Sequence, residues 1–327
     1  MSQPSSDTTR KGNAPYRRIR VIINPAAGQD RPILGAMNKA FHEANIDWEV
    51  SLTKEAGDGL RFAQEAVAAG VDAVGVYGGD GTVMEVANGL IGSGVPLAIF
   101  PGGTANVMSV ELGIPNDLTE AMALVRGDTS FVRVVDLGRI RDRYFLLRIG
   151  IGFEADMITN AERDAKNNMG KLSYILSALR TIPKRQIAHY RITIDGAQVE
   201  ADGVTCMIAN SGNIGLPGIK MSKTIDVSDG LLDVLVIRDA DVGSLLEAAA
   251  NALGMVDTLQ HWQGKQIEVS ADPPQHVIAD GEPIEPTPIV AEVIPQALKV
   301  IVPRASVPNA TAREIDRQAG EPPSNAP

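Results

Sequence analysis

Through the first 115 residues, short apolar runs alternate with longer amphipathic stretches. Arg18–Asn24 (RIRVIIN) is a β-branched run that stops at the turn signal Pro25-Ala26-Ala27-Gly28. Apolar positions at helical spacing follow from about Ile33 to Ala44, and a strand pattern covers Trp48–Thr53. Residues 58–69 read as a helix and Ala73–Tyr77 (AVGVY) as a buried strand. That strand runs into Gly78-Gly79-Asp80-Gly81-Thr82, from which a helical pattern continues to Leu90. Pro96–Phe100 is another strand; it ends at Pro101-Gly102-Gly103-Thr104-Ala105-Asn106 and enters a helix stopped near Gly113 and Pro115. Strands and helices alternating at this length predict βαβ units around a mainly parallel sheet, an α/β N-terminal domain.

After about Asp136 the periodicity changes. Two β-rich segments within residues 131–149 flank Arg141-Asp142-Arg143, as in a hairpin. Arg191–Ile194 and Val199–Asn210 flank Asp195-Gly196, a strong hairpin signal. Leu231–Ile237, Gln266–Ser270 and Gln275–Ala279 continue the short strands, so the second half is expected to be mainly antiparallel β. The division is expected at 16–136 for the α/β domain, completed by a last strand at 297–303, and at 137–296 for the β-rich domain. Residues 1–15 and 306–327 are polar or rich in Pro and Ala, and are expected to be disordered.

The chain has 327 residues, two domains' worth at roughly 100–200 each. Hydrophobic residues at 44% allow a substantial core, but aromatics at 4% leave it to Val, Ile, Leu, Ala and Met. Thirty basic against forty acidic side chains give a net charge of −10, which argues against a nucleic-acid partner. The single cysteine, Cys206, excludes an intrachain disulfide and a multi-cysteine zinc site. His42, His189, His261 and His276 are scattered, with no pair at ligand spacing. No apolar run reaches the ~18 residues of a spanning helix, and the N-terminus lacks a signal-peptide core. A cytoplasmic protein is expected.

The main chemical signal lies at two strand–loop–helix junctions. A glycine-rich loop lets the backbone approach a phosphate, and the following helix N-terminus presents unpaired N–H groups. Gly78–Thr82 meets both conditions, with Asp80 as its one charge; a carboxylate beside phosphates makes sense if it acts on a cation. Pro101–Asn106 repeats the design with Thr104 and Asn106 as donors. A purely structural reading also exists: Thr82 and Glu85 form a T-x-x-E capping box, and the glycines could serve as turn residues. Two such loops on consecutive strands favour a phosphate site. Gly150-Ile151-Gly152-Phe153-Glu154-Ala155 matches the dinucleotide fingerprint, but residues 166–191 hold no acidic side chain to bind a ribose. A nicotinamide oxidoreductase is therefore disfavoured.

Taken together, Asn24–Gly28, Gly78–Thr82 and Pro101–Asn106 resemble in order and spacing the diacylglycerol kinase catalytic domain family, which includes bacterial lipid kinases and the sphingosine and ceramide kinases. The resemblance continues through Gly150–Ala155, Gly170–Tyr174, Asp229–Asp233 and Asp280-Gly281-Glu282, and covers about residues 18–303. It implies an ATP site between a nucleotide-binding α/β domain and a β-sandwich-like second domain. Carried over, Gly78, Gly79, Asp80, Gly81 and Thr82 would hold the ATP phosphates, with Asp80 acting on Mg²⁺ or the phosphates. Asn24, Thr53, Gly103, Thr104 and Asn106 would line the nucleotide pocket. Asp280 or Glu282 would accept the proton of the lipid hydroxyl, and a second Mg²⁺ would fall at Asp226, Asp229 and Leu231. Taken alone, Asp280-Gly281 and Asp229-Gly230 also fit simple β-turns. Leu147, Gly215-Leu216, Lys223 and Ile225 depart from the usual pattern, and they do so in the half expected to hold the acceptor.

Residues 166–191 carry six basic side chains (Lys166, Lys171, Arg180, Lys184, Arg185, Arg191) and no acidic ones, with Leu172, Ile175, Leu176, Leu179 and Ile182 at helical spacing. This stretch either rests on the anionic inner face of a membrane, giving peripheral contact with a lipid substrate, or packs on the core with its charges in water. The expected activity is an ATP- and Mg²⁺-dependent lipid kinase acting on diacylglycerol or a related lipid. The alternatives are a phosphotransferase like NAD kinase, and a catalytically silent lipid- or nucleotide-binding regulator. A homodimer is compatible with all three.

Overall fold

A computed structural model of the chain describes residues 15–27, 32–152, 187–213, 222, 224–238 and 260–304. Gly28, residues 153–155, most of the basic stretch (166–186), Gly215-Leu216, Lys223 and nearly all of both expected disordered ends lie outside the described residues.

The first half follows the apolar pattern closely. β1 (Arg18–Ile23), β2 (Asp47–Leu52), β3 (Ala73–Gly78) and β4 (Leu97–Pro101) pair in parallel in the order β2-β1-β3-β4. β3 and β4 are buried at every position, because sheet centres covered by helices select unbroken apolar runs. The connecting helices are α1 (Ile33–Glu43), α2 (Asp58–Ala68), α3 (Asp80–Leu90) and the short α4 (Val107–Glu111) and α5 (Leu118–Ala123). Phe41 of α1 meets Trp48 edge-on and lies against Phe100, tying α1 to β2 and β4 in a core of aliphatic side chains.

The second half is a sandwich. β7 (Arg148–Gly152), β10 (Thr205–Ala209), β11 (Leu232–Ile237), β12 (Gln260–Gly264), β14 (Val277–Ala279) and β15 (Glu282–Ile284) form an antiparallel sheet in the order β12-β11-β10-β7-β14-β15. Facing it across a core that includes Ile149, Ile151, Tyr190, Ile208, Val234 and Val269 are β8 (Ala188–Ile194), β9 (Ala197–Gly203), β13 (Gln266–Asp272) and the hairpin of β5 (Ser130–Ile140) and β6 (Arg143–Phe145). Cys206 is buried in this core, where desolvation pushes its thiol up to about 12 and leaves it inert.

One strand joins the halves. β16 (Ile289–Pro303) pairs along one edge with β5; along its other edge it meets β13 first and then β4, where Val300 lies parallel to Leu97. The ten-stranded sheet is therefore continuous from β2 to β9.

Two strand expectations are corrected. Val199–Asn210 is not one strand: the chain leaves the ten-stranded sheet at Gly203 and enters the other as β10. A Cβ at Gly203 would lie 2.6 Å from the Val236 side chain and 2.8 Å from the Ile237 carbonyl, so the crossing needs glycine. The last strand spans fifteen residues rather than the expected 297–303, with Pro295 and Gln296 sitting at its register shift.

Candidate phosphate site and the facing carboxylates

β1, β3 and β4 end together, which gathers their loops. The Asn24 amide N–H donates to the Tyr77 carbonyl and the Gly102 N–H to the Gly78 carbonyl, each at 2.9 Å. The Asn24 side chain then donates to the Thr82 hydroxyl at 3.0 Å, while its own oxygen accepts from Ala26 N–H. A Cβ on Gly103 would fall 2.5 Å from the Gly79 Cα, so the two glycine loops touch through backbone. Around Gly81 there is nothing within 4 Å of a built Cβ.

The helix N-termini at this edge are differently occupied. Glu85 accepts from Gly57 N–H at 3.0 Å and Gly59 N–H at 2.9 Å, capping α2. Asp80 accepts from Met108 N–H at 3.3 Å in the first turn of α4. Asp117 caps α5 through the N–H groups of Thr119 and Glu120. α3, eleven residues long, begins at Asp80 behind Gly79, which has no side chain with which to cap it. Backbone N–H groups at the start of a helix are the kind of donors that suit an anion. The expected Thr82–Glu85 capping box does not form: Thr82 is already inside α3 and bonds Asn24, and Glu85 reaches across to α2.

The other nucleotide candidates divide by burial. Thr104 is exposed on the loop beside Gly103. Asn106 is buried in the left-handed region (φ 47°), and its amide closes the loop on the Gly103 N–H and carbonyl, both at 2.9 Å. Its part is to shape the loop. Thr53 is also buried, with its N–H on the Ile23 carbonyl at 2.9 Å.

In the sandwich half, Asp280 and Gly281 both have positive φ, and form the two-residue turn between β14 and β15. The Asp280 carboxylate accepts from Leu146 N–H at 2.7 Å, Leu147 N–H at 3.0 Å and Arg148 N–H at 2.9 Å. Burial pushes this carboxyl up to about 6, against the three N–H groups that favour its charged form. Glu282 is far more exposed, with Arg143 at 3.7 Å. Of the two, Asp280 is fixed and Glu282 is not.

Asp226 and Asp229 share one turn, with Leu231 beyond it. Asp226 accepts from Arg133 and from the Ser228 N–H and hydroxyl, and Asp229 accepts from Leu231 N–H at 3.0 Å. Partial burial, then the charges of Asp233, Asp226 and Asp136, push Asp229 up to about 6. That crowding is one a cation would relieve. Among the described residues no three His, Cys, Asp or Glu side chains are grouped to hold a metal ion. A cation at this turn would rest on Asp226, Asp229 and the Leu231 carbonyl, with water completing its shell.

Three residues that the sequence reading did not single out tie together the elements around these groups: Glu85, which holds α2 to α3, Glu111 and Asp136. Glu111 accepts from the Ser211 hydroxyl at 3.1 Å and the Asn213 N–H at 2.8 Å. Asp136, buried, accepts from Gly230 N–H and Gln296 N–H, both at 2.7 Å. The one available signal was a lone acid inside the apolar run of β5, which a strand tolerates only with dedicated donors.

The comparisons with known proteins bear on the fold and the family. The diacylglycerol kinase catalytic domain model matches residues 18–140, and the model of the YegS C-terminal NAD kinase beta sandwich-like domain matches residues 148–302. A Pseudomonas aeruginosa protein named "Probable lipid kinase YegS-like" is 33% identical, over 88% of this chain and 95% of its own length. One from Staphylococcus haemolyticus named "Putative lipid kinase SH2167" is 28% identical, over 82% and 90% respectively. A solved structure titled as a putative diacylglycerol kinase from Bacillus anthracis superposes with a TM-score of 0.77 at 31% identity, covering 90% of this chain and 99% of that one. An α/β half with glycine loops at its sheet edge, a β-sandwich half and full-length relatives together place the chain in the diacylglycerol kinase catalytic domain family, among its YegS-like lipid kinases.

Proposed function

We propose that the chain transfers the γ-phosphate of ATP, with Mg²⁺, to a hydroxyl of diacylglycerol or a related lipid. The observation that carries this reading is the glycine-led N-terminus of α3, with Asp80 in its first turn, in a chain whose second half fixes the Asp280 carboxylate on three backbone N–H groups. The α3 amides and the backbone of Gly79 and Gly103 cradle the phosphates. Asp80 is the residue to hold Mg²⁺ there; bound, the ion supplies neutralisation of phosphate charge. The lipid oxygen forms a bond to the γ-phosphorus as the bond from that phosphorus to the bridging oxygen breaks, leaving ADP. The hydroxyl proton passes to Asp280, whose three N–H donors hold the acceptor oxygens in place. Among the described residues no helix is long and apolar enough to cross a membrane. In this reading the lipid is met at a membrane surface. We place that contact on the inner membrane face, with the basic stretch 166–191 as its candidate.

The test is labelled ATP with a panel of diacylglycerol, sphingoid base, ceramide and NAD. Transfer to a lipid that disappears in Asp80→Ala and Asp280→Ala supports the reading. Transfer only to NAD, or to nothing while ATP is bound, overturns it.

A further inference from the structure

Building on the lipid-kinase reading, we propose that Glu111 is a positioning residue that fixes the phosphate loop relative to the proton acceptor. The two candidate carboxylates belong to different halves of the chain, yet one line of hydrogen bonds joins them. Asp80 accepts from Met108 N–H in the first turn of α4, at 3.3 Å. Three residues on, at the other end of the same helix, Glu111 accepts from the Ser211 hydroxyl at 3.1 Å and the Asn213 N–H at 2.8 Å. Asn210 and Ser211 donate their N–H groups to the Leu147 carbonyl at 2.9 and 3.0 Å, and the Leu147 N–H donates to Asp280 at 3.0 Å.

α4 is five residues, about one and a half turns, too short to bend between its ends. A carboxylate at a helix C-terminus faces the unpaired carbonyls, so local helix chemistry gives no reason for Glu111. Its partners give the reason: both donors lie in the buried strap that leaves β10, in the sandwich half. Without Glu111 the halves stay joined, because β16 runs through both and Asp136 still holds Gly230 and Gln296. What is lost is the registry between them, and phosphoryl transfer depends on placement to within an ångström.

The test compares Glu111→Ala and Glu111→Gln in the full chain, by lipid-transfer kinetics, direct titration with a non-hydrolysable ATP analogue, and amide hydrogen exchange. In Glu111→Ala the lipid kcat is expected to fall roughly 10- to 100-fold. Analogue affinity stays within about twofold, because the phosphate loop keeps its own bonds. The Asn213 amide should exchange faster while β1–β4 amides keep their protection. Glu111→Gln keeps an acceptor oxygen at the same reach and should recover most of the rate. Wild-type kcat in Glu111→Ala, a Gln variant no better than Ala, or equal weakening of analogue binding overturns the proposal. If the wild-type chain phosphorylates none of the lipids, the kinase reading fails, and unchanged exchange at Asn213 then removes Glu111 as a bridge as well.

Discussion

The side-chain amide of Asn24 donates to the Thr82 hydroxyl at 3.0 Å, joining the loop after β1 to a helix residue 58 positions on. The bond orients the first turn of α3 from outside, because Thr82 is the third residue of that helix. Asn24→Ala should weaken ATP-analogue binding about three- to tenfold, the worth of one hydrogen bond, and cost about 1 kcal/mol of stability. Isothermal titration beside urea unfolding separates the two effects; unchanged affinity would mean that α3 holds its own orientation.

Gly81 and Gly103 should respond differently to the same methyl group. Gly103→Ala drives a Cβ to 2.5 Å from the Gly79 Cα and 2.9 Å from the Asn106 oxygen. Overpacking against backbone should cost about 1–3 kcal/mol. Gly81→Ala meets open space within a helix, where alanine is the better former. Its melting temperature should hold or rise while ATP binding falls, if that space seats a phosphate. Thermal melts with and without ATP would show this split.

Glu85→Ala should cost about 1–2 kcal/mol by uncapping α2, with Gly57 and Gly59 left to water. Nucleotide affinity should stay within twofold, since the residue serves the neighbouring helix. A large loss of affinity at normal stability would place Glu85 in the phosphate site instead.

Asp280 carries opposite pH effects on rate and on stability. As the proposed base it must be ionised, so kcat/KM should fall as pH drops through about 6, where burial has pushed its carboxyl. A carboxyl raised on folding is protonated in the folded chain over a window where the unfolded chain is already charged. Its contribution to stability is therefore complete below the unfolded value, near 4, and is lost as pH rises through about 6. Asp229 acts in the same direction, weakened by its exposure to solvent. Urea unfolding at pH 5 and pH 7.5, with Asp280→Asn as the control that cannot titrate, measures the difference. A rate profile flat down to pH 5 would remove Asp280 as the base.

The alternation of apolar runs and amphipathic stretches made β1–β4 and α1–α3 legible to within a residue or two, because each is a local pattern. The glycine loops were legible for the same reason: each follows directly from its strand. What sequence concealed was nonlocal. The first half of β16, apolar but for Glu292, is cut from the second by Pro295 and Gln296, and nothing local joins the two until β5 and β13 flank the strand. Glu85 and Glu111 sit at ordinary helix positions, and only the partners that chain folding delivers, Gly57, Gly59, Ser211 and Asn213, give them a role. The T-x-x-E pattern, the alternative structural reading, does not cap α3, because a capping box needs its threonine before the helix and here the helix begins two residues earlier.

The pairing of Leu97 with Val300 also sets a timetable for the nascent chain. On the ribosome β4 emerges about 200 residues ahead of the strand that covers its edge, a wait of roughly 10–40 s at ~5–20 residues per second. Throughout that interval a fully apolar strand presents unpaired backbone to the cell. The burden of avoiding aggregation thus falls on translation and chaperones, and a chain released before residue 300 would carry that edge permanently.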